Sequence, residues 1–185
     1  MEIKKRRRAQ SLTNCRKRIA ILKGRLPRVV IRRSNRAITA QIISYEPNGD
    51  KVKASAVSSE LKALGWMPKA NIPTAYLTGM LLAKKANEKG IKGAMVLDIG
   101  LNKPIKGNVI FSAAKGCKDN GLDLISEIEA DESRLSGKHI ADYAKTGSGK
   151  GVSEFAQYEK AKLNVKELDK VFADVKGKIA IAINK

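Results

Sequence analysis

The chain has 185 residues, of which 43% are hydrophobic, so it can form one full-sized domain with extensions and is not a disordered polybasic protein. Two distant cysteines and a single histidine exclude a zinc finger and favour reduced thiols in a cytoplasmic-type compartment. We expect neither a membrane span nor a secretory signal, because the sequence contains no long apolar run.

Positive charge is concentrated at the beginning of the chain. The net charge is +19, and residues 1–36 carry +13 of it, with 14 Lys and Arg against the single acid Glu2. A segment this charged repels itself and buries too little apolar surface to fold alone. Its expected partner is nucleic acid, because contacts with phosphates release condensed counterions. A membrane-surface helix is disfavoured, because residues 1–36 contain no aromatic side chain.

The predicted elements begin after an extended basic tail at residues 1–9. A helix ending at Gly24 is predicted over residues 11–23, where apolar side chains recur at helical spacing: Leu12, Cys15, Ile19 and Leu22. An antiparallel meander of three strands follows, over residues 28–33, 37–45 and 52–58. Residues 47–50 (PNGD) predict a tight turn between the second and third strands.

The periodicity then changes to an alternation of helices and strands. A helix capped by Thr74 and ended by Gly90 is predicted over residues 75–89. The nearly all-apolar residues 94–99 predict a buried strand. Further elements are predicted over residues 108–119 (helix), 122–125 (short strand) and 138–145 (helix). These patterns predict an α/β fold with a mixed sheet, in which an antiparallel meander is followed by a βαβ unit with packed helices.

The same patterns divide the chain into four parts. We expect residues 1–27 to be a basic RNA-binding arm with its helix, and residues 28–145 to be the α/β body. The polar residues 146–151 (TGSGKG) are typical of a flexible linker. Residues 152–185 are predicted to be a helical C-terminal extension that docks on the body or on a neighbouring molecule.

Three candidate catalytic features have simpler explanations. The sequence GSGKG at residues 147–151 lacks the spacing and the hydroxyl residue of a phosphate-binding loop. Asp98 is the only acid at such a strand end, whereas metal-assisted phosphoryl chemistry needs converging carboxylates, so capping of nearby backbone is favoured. His139 has no Ser or Cys partner at a recognisable spacing. We therefore predict no catalytic residue, no metal and no cofactor.

The RNA-binding prediction rests on a larger set of residues. The candidate phosphate contacts before the first strand are Lys4, Lys5, Arg6, Arg7, Arg8, Arg16, Lys17, Arg18, Lys23 and Arg25. The first predicted hairpin adds Arg28, Arg32, Arg33, Ser34, Asn35 and Arg36. On the next strand, Thr39 and Gln41 share the side opposite to Ile38, Ala40 and Ile42. Because aromatics are absent here, contacts with RNA backbone and shape are favoured over stacked bases.

Six stretches of the sequence form a recognisable pattern: residues 26–36 (LPRVVIRRSNR) with Ala40-Gln41, residues 58–61 (SSEL) with Gly65-Trp66, residues 71–79 (NIPTAYLTG), residues 96–102 (VLDIGLN), residues 121–123 (GLD) and residues 137–143 (GKHIADY). In this order they resemble large-subunit ribosomal protein eighteen, archaeal type. The resemblance covers roughly residues 5–145. This chain departs from the resemblance at two positions: it has Cys15 where relatives commonly have Tyr, and Ala37 where they often have His.

The resemblance implies the 5S rRNA-binding protein of the central protuberance, in the cytoplasmic ribosome. It implies an α/β body with a mixed sheet and a basic arm that fixes 5S rRNA to the large-subunit rRNA near large-subunit protein five. The residues that it places in the RNA-facing region are Arg16, Lys17, Arg18, Arg28, Arg32, Arg33, Ser34, Asn35, Arg36 and Gln41. The alternatives are a metal-dependent RNA-processing hydrolase that uses Asp98 and a general nucleic-acid packaging protein.

Overall fold

The computed structural model describes residues 9, 10, 12–128, 130–146, 155–161 and 163–181. The predicted basic tail up to residue 8 and residues 147–151 of the predicted linker lie outside them. Within the described part of the chain, no helix is long and apolar enough to cross a membrane.

The N-terminal third of the chain consists of one helix and an antiparallel meander. Helix α1 spans Cys15–Lys23, and the strands β1, β2 and β3 span Arg28–Arg33, Ile38–Glu46 and Gly49–Val57. Helix α1 begins later than the predicted residue 11, because Asn14 caps it by accepting a hydrogen bond from the Lys17 N–H. The turn between β2 and β3 is tighter than predicted, since Gly49 already pairs with Glu46.

The strands form one mixed sheet in the order β3-β2-β1-β4. Strand β4, Val96–Asp98, runs parallel to β1, whereas β1 with β2 and β2 with β3 are antiparallel. The predicted α/β fold with a mixed sheet is therefore confirmed. The predicted strand at residues 122–125 is reduced to a single parallel bridge between Leu124 and Met95.

Two helices cover one face of the sheet. Helix α2 spans Ile72–Glu88 and helix α3 spans Val109–Asp119. They pack closely at two glycines, since a Cβ at Gly79 would lie 2.0 Å from the Ala113 carbonyl oxygen and one at Gly116 2.2 Å from the Tyr76 carbonyl oxygen. Any larger residue at these two positions would push the helices apart.

The N-terminal cap of α2 differs from the prediction. Asn71 is the cap, because its side chain accepts a hydrogen bond from the Thr74 N–H, and Thr74 lies buried in the first turn. The Thr74 hydroxyl instead accepts a hydrogen bond of 2.9 Å from the indole N–H of Trp66. The prediction that Thr74 caps the helix was wrong, because a tertiary contact occupies its hydroxyl.

The C-terminal part of the chain packs on the same core. It contains helices α4 (Glu132–Leu135), α5 (Lys138–Lys145), α6 (Ala156–Lys160) and α7 (Leu168–Ile181), with a 3-10 turn at Val165–Glu167. Phe172 of α7 lies against the rings of Trp66 and Tyr76, with centroid distances of 6.0 and 5.8 Å. The sequence predicted that this segment docks on the body or on a neighbouring molecule, and its described residues dock on the body.

Candidate nucleic-acid interface

The sheet has an outer face that the core helices do not cover. Along β2, Ile38, Ala40 and Ile42 are fully buried against the helices, whereas Thr39 and Gln41 point away from them and are half-buried. The predicted division of this strand is therefore confirmed. Because side chains alternate along a strand, Arg28 and Arg32 of β1 lie on the outer face beside Gln41.

An arginine–aspartate network (Arg18, Arg28, Arg32, Asp50 and Asp98) lies on this outer face. Asp98 ends β4 and accepts hydrogen bonds from the guanidinium groups of Arg28, at 3.1 Å, and Arg32, at 2.8 Å. Arg32 also donates to the Asp98 backbone carbonyl at 2.7 Å. Asp50, near the start of β3, accepts from Arg28 at 2.8 Å and from Arg18 of α1 at 2.7 Å.

Burial differs strongly within this network. The Arg28 side chain is only 4% exposed, whereas that of Arg32 is 45% exposed. Within the described part of the chain, the Arg28 Nε has no hydrogen-bond partner. Arg28 is therefore the buried member that links the two carboxylates, whereas part of the Arg32 guanidinium is accessible at the surface. That Arg28 contacts RNA stays a prediction, but it offers an RNA little accessible surface.

The charge state of Asp98 depends on its neighbours. Burial alone would raise the pKa of Asp98, but the hydrogen bond and charge of Arg32, the Gly100 N–H and the charge of Arg28 together hold it below its ordinary value of 3.8. The carboxylate is therefore ionised at neutral pH. Gly100 lies close to Arg32, and a Cβ there would be 2.9 Å from the Arg32 Cζ.

Helix α1 lies over the outer face without entering the core. It has no buried residue, and Leu12 and Ile19 of the predicted apolar stripe are more than half exposed. Its ion pair to Asp50 comes from Arg18, and a groove of about 520 Å³ separates the helix from β1, β2 and residues 97–102. The exposed cations on or directly after this helix are Arg16, Lys17, Lys23 and Arg25.

The remaining predicted residues at the first hairpin differ in position and role. The Ser34 hydroxyl closes the turn by accepting from the Ala37 N–H and contacting the Ala37 carbonyl, each at 3.0 Å. Asn35 and Arg36 are exposed at the tip, and Arg33 leaves β1 on the side opposite to Arg32. The predicted site is therefore split between two faces of the sheet. Lys4, Lys5, Arg6, Arg7 and Arg8 lie outside the described residues.

The sequence reasoning missed the two carboxylates that organise the arginines. Asp98 caps backbone as predicted, since its side chain accepts from the Gly100 N–H at 2.9 Å, but its pairing with Arg28 and Arg32 was not expected. The available signal was an isolated acid at the end of an apolar strand in a basic protein. In the described ranges, no three His, Cys, Asp or Glu side chains gather as a metal ion would require.

Comparison with known proteins identifies similar chains. The family model of the ribosomal large subunit proteins 60S L5 and 50S L18 matches residues 1–96. Large ribosomal subunit protein uL18 of Ignicoccus hospitalis is 42% identical over 185 residues, covering 96% of this chain and 90% of the relative. The protein of the same name from Korarchaeum cryptofilum is 40% identical, covering 99% of this chain and 96% of the relative. That of Haloarcula marismortui is 45% identical, covering 75% of each chain.

Proposed function

Because this chain belongs to the family of ribosomal large subunit proteins 60S L5 and 50S L18, we propose that it binds 5S rRNA and helps attach it to the large-subunit rRNA in the central protuberance. The family makes the chain a structural constituent of the large subunit of the cytoplasmic ribosome and not an enzyme. The alternative of a hydrolase that uses Asp98 was therefore wrong. Neighbouring large-subunit proteins, including protein five, are part of the proposal.

The observation that supports 5S rRNA binding is the arginine–aspartate network of the outer face. Asp98 holds the Arg32 guanidinium through two contacts, so a phosphate would meet a group whose rotamer is already fixed. Such preorganisation reduces the entropy that is lost when RNA binds. Arginine's planar fork also suits phosphate oxygens better than a lysine ammonium does.

Helix α1 extends the same basic surface. Its exposed Arg16 and Lys17 project from an element that owes little to core packing, and the predicted tail precedes it in the chain. We propose that the tail, α1 and the outer face form one continuous surface for RNA backbone. The division of the chain into an arm (1–27), a body (28–145), a linker (146–151) and an extension (152–185) belongs to this proposal.

A gel-shift titration of the full chain tests the proposal with 5S rRNA and a size-matched structured RNA. If roughly 6–10 phosphates are contacted, affinity for 5S rRNA should fall by about 10³–10⁵ between 50 and 200 mM salt. We expect tighter binding of 5S rRNA at moderate salt. Equal affinity for the two RNAs would remove the specific claim.

A matched pair of variants tests the location of the surface. The double substitution Arg16→Glu and Lys17→Glu should weaken 5S rRNA binding, because it places acids on α1. Lys92→Glu with Lys118→Glu makes the same charge change at exposed positions after α2 and within α3. It should have a much smaller effect. Equal losses for the two pairs would mean that only net charge matters.

A further inference from the structure

A second basic surface lies on the other side of β1 from the outer face. A cleft of about 550 Å³ opens between the tip of the first hairpin, the 3-10 helix Ser58–Leu64, residues 67–71 and Gln157. We call it the basic cleft. Among the described residues that line it, four are cations and none is acidic; the cations are Arg33, Arg36, Lys62 and Lys69.

The cations of the basic cleft are held differently from those of the outer face. Arg33, Arg36 and Lys62 are exposed, and no hydrogen bond or ion pair joins their side chains to another residue in the described part of the chain. Lys69 is half-buried, and its ammonium lies 4.5 Å from the centre of the Tyr158 ring. Burial lowers the pKa of Lys69, which indicates a partly desolvated ammonium.

The remaining lining suits a nucleotide rather than an isolated ion. Met67, Pro68 and Ala70 are half-buried and form an apolar floor, while the exposed Arg33, Arg36 and Lys62 stand at the rim. Asn35 adds a side-chain amide at the hairpin tip. A ribose or base can cover an apolar floor while its phosphates meet the cations at the rim.

We propose that the basic cleft binds a segment of RNA backbone that is separate from the segment on the outer face. This inference rests on the proposed function, because it assigns a second contact of the same protein with ribosomal RNA. Arg32 and Arg33 are consecutive residues of β1 and lie on opposite sides of the sheet. One straight RNA helix cannot contact both sides at once, so the cleft takes either a second strand or a strand that bends around the hairpin tip.

The choice of RNA over an acidic protein segment follows from the charges. Two of the rim cations are arginines next to an amide, and no described lining residue offers them a carboxylate. Planar guanidinium groups bind phosphate oxygens in pairs. The segment can belong to 5S rRNA or to large-subunit rRNA, which share this chemistry.

The test compares the full chain carrying Arg36→Gln with Lys62→Gln against a control with Lys92→Gln and Lys118→Gln. Both pairs remove two exposed cations, and Lys92 lies beyond the end of α2 that is remote from the cleft. The first measurement is the affinity for 5S rRNA over a salt series. The second is the binding of the preformed protein–5S rRNA complex to large-subunit rRNA.

We expect the cleft variant to lose roughly 5–30-fold in affinity in one of the two measurements, with the control within twofold. The slope of log affinity against log salt should also become shallower by about 1.4–1.8, the value for two lost phosphate contacts. A loss in the first measurement assigns the segment to 5S rRNA. A loss confined to the second assigns it to large-subunit rRNA.

The inference is overturned if the cleft variant matches the control in both measurements. Unchanged RNA binding with reduced incorporation into large subunits would also overturn it, and would indicate an acidic protein partner instead. The proposed function fails separately, if the wild-type chain does not prefer 5S rRNA to the size-matched RNA. In that case, a loss of large-subunit rRNA binding in the cleft variant but not in the control would still support the cleft as an RNA site.

Discussion

On the outer face of the sheet, carboxylates brace the arginines, whereas no acidic side chain is among the described residues that line the basic cleft. Arg28 and Arg32 share Asp98, and Arg28 also shares Asp50 with Arg18. On the opposite side of β1, Arg33 has no such contact with any described residue. The braced arginines therefore contribute to the fold as well as to the proposed RNA surface, whereas the side chains of Arg33, Arg36 and Lys62 make no hydrogen bond or ion pair with another described residue.

Positive charge therefore affects the folding free energy differently in the two regions of this protein. Removing a carboxylate from the network leaves buried positive charge uncompensated, which costs folding free energy. Removing an exposed cation without a partner costs the fold almost nothing. Stability measurements can therefore separate the two regions before any RNA is added.

The largest expected effect is that of Asp98→Asn. Among the described residues, the substitution leaves the almost fully buried Arg28 with Asp50 as its one carboxylate, so we expect a loss of about 3 kcal/mol in the free energy of unfolding. Urea unfolding followed by circular dichroism measures it. Asp123→Asn, at an exposed acid, is the control and should stay within about 0.5 kcal/mol. Similar values for the two variants would mean that the network does not brace the fold.

The same carboxylate predicts a pH dependence of stability. The pKa of Asp98 is lower in the folded protein than its ordinary value of 3.8, so its stabilisation is complete above that value and is lost as pH falls through the folded pKa. We expect the wild-type chain to lose more stability than Asp98→Asn when the pH is lowered from 6 to 3. Parallel pH profiles for the two proteins would contradict the assignment of this loss to Asp98.

A smaller effect is expected from Gly100→Ala. Gly100 has φ +63, and the added Cβ would displace the Arg32 guanidinium. Gly107 has a similar φ of +69, and no atom of a described residue lies within 4 Å of its Cβ position. Both alanines should cost about 1–2 kcal/mol for the left-handed backbone. Only Gly100→Ala should also weaken 5S rRNA binding. Equal RNA affinities for the two variants would show that the position of Arg32 is unimportant.

The smallest effects are expected from the neighbours Arg32 and Arg33. Arg32→Gln loses half-exposed contacts with Asp98 and should cost about 0.5–1 kcal/mol of stability. Arg33→Gln removes an exposed side chain without a described partner and should change stability by less than about 0.5 kcal/mol. Thermal or urea unfolding compares them directly. A larger loss for Arg33→Gln than for Arg32→Gln would reverse the comparison between the two regions.

Much of the fold could be predicted from local patterns. The first strand, Arg28–Arg33, and the helix Lys138–Lys145 have the bounds that the sequence indicated, because alternation, helical spacing and glycine stops act over a few residues. The predictions that failed depend on contacts between distant segments. Thr74 does not cap α2, because its hydroxyl accepts from Trp66, and residues 122–125 pair with the sheet at Leu124 alone.

The candidate site was predictable as a composition but not as a geometry. The sequence identified the cations of the first hairpin as one group, and it showed that Gln41 shares a side with Thr39. Alternation along the predicted first strand separates Arg32 from Arg33, but it could not show which of the two lies beside Asp98, since that depends on the pairing of β1 with β4. The sequence also could not reveal the basic cleft, because two of its cations, Lys62 and Lys69, belong to segments that follow the meander.

The sequence by itself determined the excess of positive charge, the family to which the chain belongs and the alternation that turns one side of the meander toward the core. Tertiary structure decided which arginines are braced, because Arg28 and Asp98 meet across 70 positions of the chain through the parallel pairing of β1 with β4. The physical reason is one of range. Backbone propensity and side-chain periodicity act between near neighbours, whereas ion pairs and clefts depend on where packing brings distant segments together.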